Sequence, residues 1–254
     1  MGDKVRLERE DDGVRVLVLN DPDKRNAIGP ELREALADAV AAVATDRDAR
    51  VLVVAGEGSA FCAGADLPSV FGDVDAPVGE IRDHLHSYYQ SFLAIRDLSV
   101  PTIAAVQGAA IGAGLNLALC CDLCVVGPEA RLGATFARIG LHPGGGCTYF
   151  LTRAVGRQRA LRILLDGETL DAEAALRHGL ALEIVDDPLE HARELARTLA
   201  GRDPDTSADI KRAVRLAEEH DFAAVVEFEA WAQAATAKKP AIRETVERFR
   251  RDRR

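Results

Sequence analysis

Ser59-Ala60-Phe61-Cys62-Ala63-Gly64-Ala65-Asp66-Leu67 is a turn of small residues placed directly after an apolar run, Val51-Leu52-Val53-Val54-Ala55, that ends at Gly56. The run reads as a short buried strand, fed by a helix that opens at Pro30 and repeats Leu32, Leu36, Ala39, Val40 and Val43 until Asp46. A second turn of the same build, Gly108-Ala109-Ala110-Ile111-Gly112-Ala113-Gly114-Leu115, follows the predicted strand Thr102–Val106 and leads into a predicted helix over 112–120. Small residues there let backbone and ligand approach closely. Free N–H groups at the start of a helix carry a partial positive charge suited to a developing oxyanion.

Outward from these turns the pattern repeats. Val5 and Leu7, then Val14, Val16 and Val18, alternate around Asp11-Asp12-Gly13 and predict an opening hairpin. A helix over about 79–97 precedes the strand at 102–106, and the helix at 112–120 precedes a strand at 123–126. Strands alternating with helices predict an α/β fold with a largely parallel sheet. After about residue 150 strands nearly vanish, and segments near 157–165, 171–178, 188–201, 206–219, 222–236 and 240–251 read helical. The expected organisation is a core over 1–200 and a helical region over 201–254.

Composition narrows the partners. With 254 residues, 48% of them hydrophobic, the chain has ample material for a core. A net charge of -9 weighs against nucleic acid. The cationic cluster Arg248, Arg250, Arg251, Arg253, Arg254 reads either as a solvated helix end or as a contact for the phosphates of a nucleotide-like ligand. No apolar run reaches membrane-spanning length, and Met1-Gly2-Asp3-Lys4-Val5-Arg6 opens on charges, so a cytoplasmic protein with no membrane partner is expected. Five cysteines without framework spacing suggest reduced thiols. Cys121-Asp122-Leu123-Cys124 has zinc-like spacing but no second pair, and Cys120 to Val126 reads as a buried strand, so no metal is expected. The second turn is GxxxGxG rather than GxGxxG and lacks an acidic strand end about twenty residues on, which excludes a dinucleotide fingerprint. Neither a GxSxG elbow nor a Walker glycine-lysine pair occurs.

Taken in order, Asp21-Pro22-Asp23-Lys24-Arg25-Asn26-Ala27-Ile28, Phe61-Cys62-Ala63-Gly64-Ala65-Asp66-Leu67, Pro101 before Ile103-Ala104-Ala105-Val106-Gln107-Gly108, Gly112-Ala113-Gly114, Cys121-Asp122-Leu123, Gly140-Leu141-His142-Pro143-Gly144-Gly145-Gly146 and Ala154-Val155-Gly156 resemble the crotonase superfamily of enoyl-CoA hydratases and isomerases. The resemblance implies a ClpP/crotonase-type spiral of ββα units with a helical carboxy-terminal trimerisation region, giving a homotrimer or a dimer of trimers. It implies an acyl-CoA ligand, with coenzyme A as part of the substrate and no prosthetic group. Ala65 and Ala113 would supply the oxyanion-hole N–H groups, and Arg25, Ala27, Ala63, Asp66, Leu67 and Pro68 would border the coenzyme. Ala113 stands where glycine is usual and serves if its φ is negative. In the carboxy-terminal stretch Glu244-Thr245-Val246-Glu247-Arg248-Phe249, Phe249 would cover an adenine, while Asp252 stands where relatives carry a lysine and Arg253 or Arg248 would meet a phosphate.

The resemblance also exposes departures. Asn116 and Phe136 occupy the positions of the two hydratase glutamates, and neither takes a proton at neutral pH. Gly144 occupies the position used as an acid or nucleophile in other branches. Tyr89 and His142 remain as pocket or proton-carrying candidates; His84 and His86, two apart on a predicted helix, cannot both face inward. Two functional readings follow, an enolate-stabilising enzyme with a displaced acid/base and an acyl-CoA binder without turnover. A purely structural subunit is the third reading, disfavoured by the small residues kept at both turns.

Overall fold

The computed structural model describes residues 3–251, so the readings placed on Met1, Gly2, Asp252, Arg253 and Arg254 lie outside the described residues. The strands are β1 Val5–Arg9, β2 Val14–Leu19, β3 Val51–Gly56, β4 Ala60–Cys62, β5 Thr102–Val106, β6 Ala109–Ile111, β7 Leu123–Val126, β8 Arg131–Gly133, β9 Thr169–Asp171 and β10 Glu183–Ile184. The helices are α1 Pro30–Thr45, α2 Leu67–Val70, α3 Val78–Leu93, α4 Ala113–Leu119, α5 Cys147–Val155, α6 Arg157–Asp166, α7 Ala172–Arg177, α8 Pro188–Ala200, α9 Pro204–Glu219, α10 Phe222–Thr236 and α11 Pro240–Arg251. They form two compact units, 1–201 and 202–254.

In the first unit a six-stranded sheet runs in the order β1-β2-β3-β5-β7-β10, and a four-stranded sheet runs β4-β6-β8-β9. Every pairing in the large sheet is parallel except β1 with β2; in the small sheet only β8 with β9 is antiparallel. Each of β3, β5 and β7 is followed within a few residues by a short strand of the small sheet, β4, β6 and β8. This is the spiral of ββα units. Strand alternation divides the core across the large sheet. Val14, Val16, Val18, Val51, Val53, Ala55, Ile103 and Val125 pack with Ala192 and Ala196 of α8 on one face, and Leu17, Leu19, Leu52, Val54, Ala104 and Val126 face the main core with α1. Arg193 of α8 reaches the carboxylates of Glu8 and Glu10 on and beside β1, clasping α8 to the sheet edge.

The structure corrects several local expectations. Ala60–Cys62 and Ala109–Ile111 are strands rather than loop, because their amides find partners in the small sheet. The first glycine turn leads into α2, a helix of four residues. Cys120 caps the carboxy-terminal end of α4, Cys121 follows it in a bend, and only Leu123–Val126 of this segment is strand. Two strands do occur after residue 150, and Asp171, expected in a helix, ends β9 and caps α7 by accepting from the Ala174 N–H at 2.8 Å.

The second unit is α9, α10 and α11. Asp203 caps α9 through the Thr206 N–H at 2.9 Å, and the Lys239 ammonium binds the same carboxylate. The Lys239 bond and the Thr206 donors hold the Asp203 carboxyl well down, at about 2. A group whose folded pKa lies below its unfolded value stabilises above the unfolded value and loses that contribution as pH falls through the folded one. Acid melting of this unit is therefore expected to steepen between the ordinary carboxylate range and about pH 2. Circular dichroism of wild type and Asp203→Asn checks this; the variant should lose that part of the pH dependence.

Candidate active site

Two segments meet to build the site. In the first, an isolated parallel bridge joins Ile28 to Ala65. The Ile28 N–H donates to Gly64 O at 2.7 Å and the Asp66 N–H to Ile28 O at 3.2 Å, so the intervening Ala65 N–H is turned away from Ile28. In the second, Ala113 opens α4 after Gly112, so its N–H belongs to the first turn and has no intrahelical acceptor. Among the described residues neither N–H donates to a protein acceptor. Ala113 has negative φ, since among the described residues the only non-glycine positions with positive φ are Arg25 and Asn26.

Glycine geometry shows how close the two segments lie. A Cβ on Gly64, whose φ is +105°, would stand 2.7 Å from Ile111 O and 3.7 Å from the Ala113 nitrogen. A Cβ on Gly114 would stand 2.1 Å from Cys62 O. Only glycine at both positions lets the Cys62–Ala65 turn close onto the start of α4. The Ala65 and Ala113 N–H groups thus lie on closely packed neighbouring segments, one of them at a helix start.

Asn26, quoted only as part of a motif, holds the first segment. It is fully buried, its Oδ1 accepts from the Asp21 N–H at 2.8 Å, and its Nδ2 donates to Ala60 O at 2.9 Å, Glu57 O at 3.0 Å and Phe61 O at 3.2 Å. The Cys62 thiol donates to Asn26 O at 3.1 Å. Burial pushes that thiol up to about 12, so it is a packing group and not a nucleophile at neutral pH. Asn26 has φ +56°, a conformation asparagine tolerates better than most residues.

One turn into α4, Asn116 is 1% exposed and donates from Nδ2 to Gly144 O at 2.8 Å. Phe136, half-buried in a 3₁₀ turn Thr135–Ile139, places its ring 3.8 Å from the position of a Gly112 Cβ. Tyr89 on α3 stacks edge-on against Phe92 and Tyr88, at 6.4 and 6.1 Å between centroids. Its hydroxyl would lie 2.2 Å from a Gly144 Cβ, so glycine at 144 makes room for the phenol. Burial raises the Tyr89 pKa and the Gly145 backbone N–H at the hydroxyl pulls it back, leaving a phenol that is protonated at neutral pH. Asn116, Phe136, Tyr89 and Gly144 therefore come together around the start of α4.

The remaining candidates fall elsewhere. His142 is exposed, with Nδ1 2.7 Å from Pro143 O, and both His84 and His86 are exposed on α3. Arg25, Leu67 and Pro68 are exposed and Ala27, Ala63 and Asp66 half-buried along the rim made by the bridged 25–28 and 63–68 segments, where the Ala63 N–H donates to Arg25 O at 2.9 Å. Phe249 lies in the second unit, 59% exposed, with the Arg248 guanidinium 5.9 Å from its ring centroid. Among the described residues no trio of His, Cys, Asp or Glu side chains is arranged to hold a metal ion, and no helix is long and apolar enough to cross a membrane.

Known proteins share this fold and much of its sequence. Residues 9–254 match the enoyl-CoA hydratase/isomerase family. The chain is 48% identical over 186 residues to the probable enoyl-CoA hydratase EchA14 of Mycobacterium tuberculosis, covering 73% of this chain and 72% of that one. It is 32% identical to the 1,2-epoxyphenylacetyl-CoA isomerase of Escherichia coli, covering 96% of this chain and 94% of that one. A crystal structure of an enoyl-CoA hydratase from Polaromonas sp. JS666 superposes with a TM-score of 0.86 at 30% identity, covering 96% of each chain. The sequence and the ββα spiral together place the chain in the enoyl-CoA hydratase/isomerase family of the crotonase superfamily.

Proposed function

We propose that the chain binds an acyl thioester of coenzyme A, holds its carbonyl oxygen between the Ala65 and Ala113 N–H groups, and stabilises the thioester enolate in acyl-CoA metabolism by a route other than two-glutamate hydration. The observation that carries this reading is the pair of unpaired N–H groups brought together by Gly64 and Gly114. Two backbone donors aimed at one oxygen stabilise the charge that develops when a proton leaves the α-carbon. The side chains beside the clamp, the Asn116 amide and the Phe136 ring, cannot activate water as carboxylates do. The bridged rim from Arg25 to Pro68 supports contact with the coenzyme. Exposed Val214, Phe222 and Trp231 on the helices of the second unit support self-association as a homotrimer or dimer of trimers.

The test is incubation with several acyl-CoA thioesters in deuterated water. Exchange of α-protons is expected without hydration of a crotonyl-type thioester above the uncatalysed rate. Hydration at an enzymatic rate would overturn the mechanism. Binding without exchange would favour the second reading, a non-catalytic acyl-CoA carrier, which the amide and phenyl ring at the clamp also support.

A further inference from the structure

Gln107 follows β5 directly and opens the second glycine turn, half-buried, and the chemistry proposed above makes no use of it. Its backbone carbonyl accepts from the Phe61 N–H at 2.9 Å. Its side-chain Nε2 donates to Gly56 O and, at 3.4 Å each, to Gly58 O and Ala60 O. Three carbonyl oxygens around one terminal atom assign that atom as the amide nitrogen, since an oxygen there would face three oxygens.

A second amide serves the same turn. Asn26 Nδ2 takes Glu57 O, Ala60 O and Phe61 O, so the carbonyls of Gly56, Glu57, Gly58, Ala60 and Phe61 converge on two side-chain amides, with Ala60 O shared by both. Asn26 belongs to the 25–28 segment that bridges Ala65 through Ile28, and Gln107 to the segment that runs through β6 to Ala113. The 56–61 turn therefore ties together the two segments that carry the N–H groups.

The tie matters because the ladder between those segments is short. β4 and β6 pair Ala60 with Ala109 and Cys62 with Ala110, and the register shifts between the two pairs. So brief and irregular a ladder specifies its register weakly, and a slip of one residue moves a strand about 3.3 Å. Gly108, at φ +55°, lets the strands close, since a Cβ there would lie 2.0 Å from Ser59 O. A glycine permits the approach but does not hold a position along the strand; a hydrogen-bond donor does.

We infer that Gln107 is a positioning residue for the oxyanion hole: by holding the Gly56, Gly58 and Ala60 carbonyls it locks the β4–β6 register and so sets the separation of the Ala65 and Ala113 N–H groups. It acts through the backbone and not on the substrate, and the inference rests on the thioester clamp proposed above.

The experiment uses the whole protein with butyryl-CoA carrying ¹³C at its carbonyl. Calorimetry gives affinity, deuterium incorporation at saturating ligand gives the exchange rate, and infrared difference spectra give the carbonyl stretch, which decides by itself if the wild type binds without exchange. Gln107→Met keeps the length of the side chain and removes the donor. It should lower exchange about 10²-fold, the effect of a misplacement of about 1 Å, and return the stretch toward its value in water, while affinity stays within the same order of magnitude. Gln107→Lys offers three donors to the same three carbonyls and should recover both readouts. If Gln107→Met does not fold, Gln107→Asn, an amide one methylene too short, takes its place and should show the same losses. Unchanged exchange and stretch in a folded variant without the donor would overturn the positioning role and leave the clamp standing. Losses that track a fall in melting temperature and are not recovered by Gln107→Lys would overturn it as well. A wild type that binds the thioester without shifting its carbonyl stretch, or does not bind it, would overturn the clamp and this inference with it.

Discussion

An Ala113→Pro variant is expected to keep the fold and to lose α-proton exchange by a factor of about 10²–10³, the usual effect of deleting one oxyanion donor. Ala113 is the first residue of α4 and already has negative φ, a position where proline is well tolerated because the missing N–H makes no intrahelical bond. The substitution therefore replaces the N–H the account requires with a ring carbon. Circular dichroism and the melting temperature report the fold, while deuterium incorporation reports the chemistry. An unchanged melting temperature with unchanged exchange would take Ala113 out of the site.

Asn26→Ala should have the largest effect on stability, about 3–5 kcal/mol by denaturant unfolding. The change strips Ala60 O, Glu57 O and Phe61 O of their shared donor and the Asp21 N–H of its acceptor, all around a fully buried side chain. It also places alanine at φ +56°, where asparagine is better tolerated. Because the same bonds fix the turn that carries Ala65, thioester affinity should fall together with stability. Asn26→Asp, which keeps an acceptor for Asp21 but loses the donor to three carbonyls, should be destabilised as well.

The large sheet was legible because Val51–Ala55 and Thr102–Val106 are continuous apolar runs between turn signals, as strands buried on both faces must be. The small sheet was not. Strands of three residues, Ala60–Cys62, Ala109–Ile111 and Arg131–Gly133, are too short to display an alternation, and their alanines and glycines carry a turn signal instead. The two glycine turns on which the proposed clamp rests could be read from their small residues, because close backbone approach leaves that mark in the sequence. What surrounds it depends on contacts across the chain: Asn116 meets Gly144, 28 residues away, and Tyr89 meets the same glycine from α3. No local pattern shows that a glycine is small to admit a phenol. Likewise, helical spacing allowed one of His84 and His86 to face inward, yet both are solvent-exposed, since Tyr88 and Phe92 take the inner face of α3.

The most direct measurement on the clamp is the infrared difference spectrum of a thioester carrying a ¹³C label at its carbonyl, bound to wild type and to Ala113→Pro. Two N–H donors polarise the carbonyl and lower its stretching frequency, so a shift to lower wavenumber is expected in wild type and a smaller one in the variant. A bound thioester with the frequency it has in water, the same in both proteins, would contradict the account.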